Sequence, residues 1–589
     1  MRKMKTNRRE FLEKSAALAG YASFAQAAEP AFSPLSRGEP SVSHGPKTIC
    51  YSVQPNGYLN DHAAEVKKIY DGFFFTVGSW ERFTERFVGV QGVPPEQPEW
   101  VEAARKNLAA LRTARVTENF LGVAFEQDGR WPSPQTLLTK SFTETMEAQF
   151  AALGRVAGEL GFRGVAIDVE YPYPRYILTN PIYNYDDYTA GDLEAAAFRQ
   201  GQRSIARLLE AFPEAAVLVL PGDIRSCPIV RAYMLGILDR MAARDAPGGF
   251  HLATEYTYCL ADPVTTLATT SFNDGVIPLL AGEPTAGYWK RRCSTAPGVW
   301  PLHSVETGSL EYPVQPWKDE IRELRQQMAI LRTVSKRYIW SFTASPVWYL
   351  YSPELEKQYG LGKQNLKRTD INLKDWQQIL MDKPTLLPGS RLAPIIEAIR
   401  RFDQGGLSAA QLCEAFGTPG QWWVLGILGN AQTLPQFAAK EALNRPIQTY
   451  APYQGRDQAV RWFSYCNFDP RGVTDCRYIF DWRSTDNGAA HFVTFVENPT
   501  DRAAVLHVGW DDAVTIRLGD QVVFESPEWG GYTLYRDKYR FARRVPISLK
   551  RGWSKLAVTC SNARGIWLFS LRITDEHGMP FPDLHFRPA

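Results

Sequence analysis

GVAIDVEYPYP, residues 164–174, alternates Val165, Ile167 and Val169 with Gly164, Ala166, Asp168 and Glu170. Successive side chains of a strand point to opposite faces. One face of this segment is therefore apolar and β-branched, while the other runs small, small, acid, acid. A parallel barrel strand has that form, with its outward face against helices and its inward acids at the end where the strand opens into a loop. Tyr171, Tyr173 and Tyr176 follow at once, separated by Pro172 and Pro174. Carboxylates beside aromatic rings suit a site that cleaves sugars; a solvated acidic turn at a strand end would look the same in this segment alone.

The neighbouring sequence repeats the pattern. Strand-like runs occur at 48–53, 72–80, 118–126, 164–170, 215–223, 249–257, 297–304 and 337–344. Helix-period stretches such as 98–112, 143–160, 190–211, 226–244 and 316–335 lie between them. Phe150, Leu153, Val156, Ala157 and Leu160 recur at i, i+3 and i+4 spacing. Strands alternating with helices predict an α/β fold, a (β/α)8 TIM-type barrel over 47–352. A helical connector is expected at 353–420. From 421 to 589 short alternating runs separated by Gly, Asp and Asn turns predict an all-β sandwich of jelly-roll type.

The chain has 589 residues and a formal charge of +3. The first 27 residues contribute +4 through Arg2, Lys3, Lys5, Arg8, Arg9 and Lys14 against Glu10 and Glu13, so without them the chain would carry −1. Neither nucleic acid nor a membrane surface is expected as partner. Residues 6–14 (TNRREFLEK) precede an Ala-rich run and Ala25-Gln26-Ala27, the layout of a signal peptide. They resemble a twin-arginine export signal, with Asn7 at the usual Ser or Thr position and Lys14 slightly late. That resemblance implies a leader at 1–27, a Pro/Ser/Gly-rich linker at 28–46 and an exported, periplasmic or extracellular protein. No later run is long and apolar enough to span a bilayer. The eight cysteines show no metal-finger spacing and read mostly as small buried hydrophobes; Cys466 and Cys476 are a possible pair across adjacent strands.

In the C-terminal part, GWDDAVTIRLGDQVVF (509–524), VPISLKRGWSKLAVTCSNARGIWLFSLRI (545–573) and DEHGMP (575–580) resemble the jelly-roll accessory modules attached to bacterial glycosidases. That resemblance concerns the module and not the barrel's reaction; taken with the acids at the strand ends, it gives the expectation of an exported barrel glycoside hydrolase acting on an oligo- or polysaccharide.

Acids at the ends of the barrel strands are the candidates for chemistry: Glu126, Asp128, Asp168, Glu170, Asp223, Glu255 and Glu306. Glycoside hydrolysis uses two carboxyl groups, one to protonate the leaving oxygen and one to attack carbon or activate water. Glu170 is the expected acid/base, with Asp168 two residues earlier on the same face as its helper. For Asp168 the plain alternative is an inward acid held by an Arg or Tyr in the lumen. Glu255, level with Ala253 and His251 on the sixth strand, and Glu306, after the seventh, are alternatives for the second carboxylate. Resemblance to the largest superfamily of retaining barrel glycosidases favours Glu306, while the cleaner strand end favours Glu255. Asp168-Val169-Glu170 also resembles the tail of the chitinase-type Asp-x-Asp-x-Glu motif, although Ala166 stands at its preceding acidic position.

Trp80, Trp131, Tyr171, Tyr173, Tyr256 and Trp340 are expected to face the sugar, with Trp340 beneath the reacting ring; core packing competes for each of them. Arg175, Arg225 and Lys290-Arg291-Arg292 would suit an acidic sugar. No HExxH, P-loop, dinucleotide fingerprint or nucleophile elbow is present, and no metal or other cofactor is expected, His62 and His251 reading as locally bonded. The alternatives to a hydrolase are a carbohydrate-binding protein on a degenerate barrel and a polysaccharide lyase.

Overall fold

The computed structural model describes residues 45–89, 98–124, 139–169, 190–220, 222, 228–258, 262–301, 316–342, 353–359, 370–429, 442–480, 486–526, 543–565 and 567–588. The expected leader, and the linker up to residue 44, lie outside them. Strands β1 (Lys47–Val53), β2 (Gly72–Ser79), β3 (Phe120–Ala124), β4 (Gly164–Asp168), β5 (Ala216–Leu220), β6 (Phe250–Thr254), β7 (Ser294–Val299) and β8 (Tyr338–Phe342) pair in sequence order and in parallel. β8 returns to β1 through Ile49 opposite Trp340 and Tyr51 opposite Phe342, which closes the barrel. The outer layer is built from α1 (Gly57–Asp61), α2 (Ala63–Ile69), α3 (Trp80–Phe83), α4 (Pro98–Thr113), α5 (Lys140–Leu160), α6 (Ala190–Ala211), α7 (Pro228–Ala243), α8 (Pro263–Leu280), α9 (Thr285–Arg292) and α10 (Trp317–Val334).

Alternation sorts the side chains as expected. Val165 and Ile167 of β4 are buried among the helices, while Ala166 faces the lumen with Ile49, Phe74, Leu218, Ala253, Ala296 and Trp340. The N-terminal end of the lumen is plugged. There the His251 imidazole bonds Ser294 Oγ at 2.9 Å and meets the Tyr338 ring edge-on at 4.9 Å. Tyr338 Oη in turn donates to Glu118 at 2.9 Å. The opposite, C-terminal ends of the strands form the mouth, the end at which barrels of this kind carry their sites.

Past the barrel, α11 (Pro353–Tyr359), α12 (Leu373–Asp382), α13 (Ala393–Asp403) and α14 (Ala409–Ala415) pack on its outside. Ile395, Ile396, Ala398 and Leu412 share one core with Val264, Leu267 and Ala268 of α8. Two antiparallel sheets follow. The larger runs β12 (Phe463–Cys466), β9 (Gln421–Leu428), β14 (Gly488–Asn498), β19 (Gly552–Asn562), β16 (Ala513–Leu518), β17 (Gln521–Glu525), with β21 (His585–Arg587) also on β14. The smaller runs β13 (Val473–Asp475), β20 (Leu568–Thr574), β15 (Arg502–Trp510), β18 (Arg543–Leu549), and a short hairpin joins β10 (Tyr453–Gln454) to β11 (Ala459–Val460). Trp422, Phe492, Trp510, Trp567 and Phe569 lie in the core between the sheets.

The suggested Cys466–Cys476 pair is not formed. Cys466 ends β12 and Cys476 follows β13, and these strands belong to different sheets. The sulfur neighbour of Cys476 is Cys560 of β19.

Two buried histidines make the fold acid-sensitive. Burial, aided by the Arg337 charge, pushes His251 down to about 3. Burial, aided by Arg572, pushes His507 down to about 4, with its Nε2 bonded to Thr574 Oγ1 at 2.8 Å. Both stay neutral in the fold while the unfolded chain takes up protons near the ordinary histidine value. Between pH 6.5 and about 4 the unfolded state therefore binds more protons, and stability falls as pH falls. Each histidine contributes a slope of up to about 1.4 kcal/mol per pH unit. Urea unfolding followed from neutral pH into this window should show the loss, and His507→Gln should remove its share of the slope. A flat stability across the window would contradict both assignments.

Candidate active site at the C-terminal mouth of the barrel

Asp168 is the last residue of β4, and its parity turns it into the lumen, where it is nearly buried. Tyr51, near the end of β1, reaches toward it and donates its phenolic hydrogen to Asp168 Oδ2 at 2.8 Å. The Tyr51 ring is fixed by edge contacts with Phe74 at 5.5 Å and Trp340 at 5.7 Å, and lies 5.8 Å from Phe342. A carboxylate is thus presented at the strand end by a hydroxyl whose own ring is wedged among aromatics.

The sixth strand supplies the other acid. His251 and Ala253 face inward, and Glu255 continues that parity one residue beyond the strand, partly exposed. The turn Glu255–Tyr258 is held at several points. Tyr258 N–H donates to Glu255 O at 2.9 Å, Tyr256 N–H to Thr254 Oγ1 at 3.2 Å and Thr257 Oγ1 to Gly298 O at 2.7 Å, and the Gln327 amide donates to Thr257 O. β4 and β6 are separated by one strand, so the backbones bearing Asp168 and Glu255 stand roughly 10 Å apart.

Between these acids and β8 lies an aromatic wall. Tyr258 is 5.4 Å from Trp340, stacks on Phe342 at 6.1 Å and meets Trp300 at 5.7 Å. Gly298 on β7 makes this possible, because a Cβ there would come within 2.6 Å of the Tyr258 ring and 2.8 Å of Trp340. The Trp340 indole donates to Ala296 O at 3.1 Å.

The sandwich reaches this rim. Arg471 is buried, bound by two nitrogens to Asp469 at 2.9 and 3.0 Å, and pressed over the rings of Phe272 on α8 at 4.0 Å and Tyr256 at 5.7 Å. Arg572 of β20 donates to Asp262 at 3.0 Å, the residue that caps α8 just beyond the same turn.

The structure thus brings Asp168, Glu255, Tyr256 and Trp340 to one end of the barrel. Trp340 is beneath the mouth but only 1% exposed, so it carries the rings above it rather than offering its own face. Trp80 is a correction: it lies outside the barrel, stacked on Phe150 of α5 at 5.1 Å and edge-on to Phe83, and a ring closed in this way has no face for a sugar. Glu170, Glu306, Tyr171, Tyr173 and Trp131 lie outside the described residues, as do Glu126, Asp128, Asp223, Arg175 and Arg225. Arg291 and Arg292 pair with Asp245 before β7 begins, at the opposite end of the barrel from the mouth. His62 bonds Tyr359 at 3.2 Å, and among the described residues no group of three or more His, Cys, Asp or Glu is placed to hold a metal. Tyr51, Phe342 and Trp300 were missed, although the β1 alternation that turns Ile49 inward does the same for Tyr51.

No sequence-family model matches the chain, and no curated protein matches it. Among solved structures it is similar to a glycoside hydrolase, GH5_18, from Streptomyces cattleya in complex with Manb1-4GlcNAc (13% identity, 61% of this chain and 92% of that one, TM-score 0.33). It is also similar to a GH18 chitinase from Pseudoalteromonas aurantia (11% identity, 51% and 95%, TM-score 0.28). A third is D-allulose 3-epimerase from Methylomonas sp. (10% identity, 57% and 96%, TM-score 0.31). At these scores they carry nothing about the reaction.

Proposed function

We propose that the protein is a glycoside hydrolase that cleaves a glycosidic bond by carboxylate acid/base catalysis at this mouth. The observation that supports it is Asp168, a nearly buried carboxylate fixed by the Tyr51 hydroxyl beside an aromatic wall, with Glu255 two strands further round the rim. Aromatic rings offer flat apolar surface to the C–H faces of a sugar, and excluding water strengthens the field of the acids on the scissile bond. Glu170, two residues after Asp168 in the sequence, is assigned as proton donor. Glu255 is assigned as the second carboxylate, attacking carbon or activating water according to its separation from the donor.

The test is release of reducing ends from a panel of neutral polysaccharides, and of nitrophenol from aryl glycosides. Glu170→Gln and Glu255→Gln should each lower turnover by about 10²- to 10⁴-fold with the unfolding midpoint preserved. Undiminished turnover in Glu170→Gln would overturn its assignment. An ultraviolet-absorbing unsaturated product would identify a lyase instead, and glycan binding without release a binding protein.

A further inference from the structure

The aromatic wall occupies the β6–β8 side of the mouth; the β1–β2 side is different. Ser52 and Gln54, following Tyr51, are exposed, and Thr76 of β2 and Trp100 of α4 are partly so. Hydrogen bonds link these four residues, in part through the Thr76 backbone carbonyl. The Ser52 and Thr76 hydroxyls bond each other, Gln54 Nε2 donates to Thr76 O at 2.7 Å, and the Trp100 indole donates to Gln54 Oε1 at 3.3 Å. The indole nitrogen is a donor only, so it fixes which end of the Gln54 amide is oxygen. The amide keeps one N–H and one lone pair for a ligand, and the hydroxyl pair keeps one O–H and further lone pairs.

We infer that Ser52, Gln54, Thr76 and Trp100 form a subsite that grips one neutral sugar ring by neighbouring hydroxyls. Alternating donors and acceptors at hydrogen-bond spacing match a vicinal diol, whose hydroxyls each donate and accept. None of the four carries a charge, and the arginines Arg291 and Arg292, which would suit a uronate, are engaged at the far end of the barrel. Tyr51 connects the subsite to the chemistry: its backbone adjoins Ser52 and its phenol is on Asp168. A ring held by the Gln54 strip is therefore one side chain from the carboxylate. The subsite acts as a binding and specificity element, and its place beside a cleaving centre rests on the hydrolase reading above.

Binding is measured separately from cleavage, by titration calorimetry on Asp168→Asn protein with xylo-, manno-, cello- and chito-hexaose and with oligogalacturonate. At least one neutral oligosaccharide should bind in preference to oligogalacturonate. Adding Gln54→Ala, or Trp100→Phe, which keeps the ring but removes the donor, should weaken that binding about tenfold, the size expected for one net hydrogen bond. Gln54 is exposed and Trp100 partly so, and both changes should leave the unfolding midpoint in place. Preference for oligogalacturonate, failure of every neutral oligosaccharide to bind, or unchanged affinity in both variants would overturn the subsite. Neutral binding lost on Gln54→Ala, in a wild-type protein that hydrolyses none of the panel, would keep the subsite and reject the hydrolase. Hydrolysis with no response to Gln54→Ala or Trp100→Phe would do the reverse.

Discussion

Asp168→Asn should reduce turnover by about 10²- to 10⁴-fold, the range for removing a positioned acid or base, while leaving the protein at least as stable as wild type. The amide has the shape of the carboxylate and still offers Tyr51 an oxygen, so the 2.8 Å contact survives. What disappears is the charge, and a nearly buried charge at a strand end costs stability unless it is fully compensated. Tyr51→Phe separates the roles further. It keeps the ring among Phe74, Trp340 and Phe342 and removes only the donor. A hydrogen bond to a charged group is worth about 1.5–3 kcal/mol, so if that bond is needed in the transition state, turnover should fall by about 10- to 100-fold. A purely structural Asp168 would give the opposite pattern, with a lowered unfolding midpoint in Asp168→Asn and turnover preserved. Steady-state kinetics and thermal unfolding on the same preparations decide between them.

The barrel was legible because its layers leave periodic marks. β4 alternates between helices and lumen, and α5 shows the apolar spacing of a helix buried on one side. Where an element is buried on every side the mark is lost. α8 reads PVTTLATTSFNDGVIPLL, and Thr265, Thr266, Thr269, Thr270 and Ser271 are buried along with Leu267 and Phe272. It packs against barrel, connector and sandwich at once, so no polar stripe remains, and its β-branched residues argue against a helix until tertiary contacts override them. β7 was expected at 297–304 but spans Ser294–Val299. Its small residues, chosen to sit under Tyr258 and Trp340, carry little strand signal. At the mouth, the inward direction of Asp168 could be read from parity alone. The phenol that holds Asp168 comes from 117 residues earlier and the guanidinium over Tyr256 from another domain, and no local pattern encodes such distant pairs.

Asp262→Ala should lower stability by about 3–5 kcal/mol, and more than Arg572→Met does at the other end of the same bond. Asp262 has two tasks. It caps α8 by accepting from Val264 N–H and Thr265 N–H, each at 3.1 Å, and it receives Arg572 from β20 at 3.0 Å across a separation of 310 residues. Losing the cap alone costs about 1 kcal/mol. The larger part comes from Arg572, whose side chain is 1% exposed. Burial disfavours its charged form and Asp262 favours it, so removing Asp262 deprives a buried charge of the carboxylate that balances it. The reverse change is milder, because Met fills much of the same volume without a charge, and Asp262, 38% exposed, keeps both its solvent and its helix. Since α8 begins just beyond the turn that bears Glu255 and Tyr256, and Arg471 presses on that turn from the same domain, Asp262→Ala should also lower turnover at temperatures where the fold persists. Urea unfolding followed by intrinsic fluorescence, with limited proteolysis between barrel and sandwich, provides the check. An Asp262→Ala protein within about 1 kcal/mol of wild type, or an Arg572→Met protein more damaged than it, would mean that the buried ion pair does not hold the two domains together.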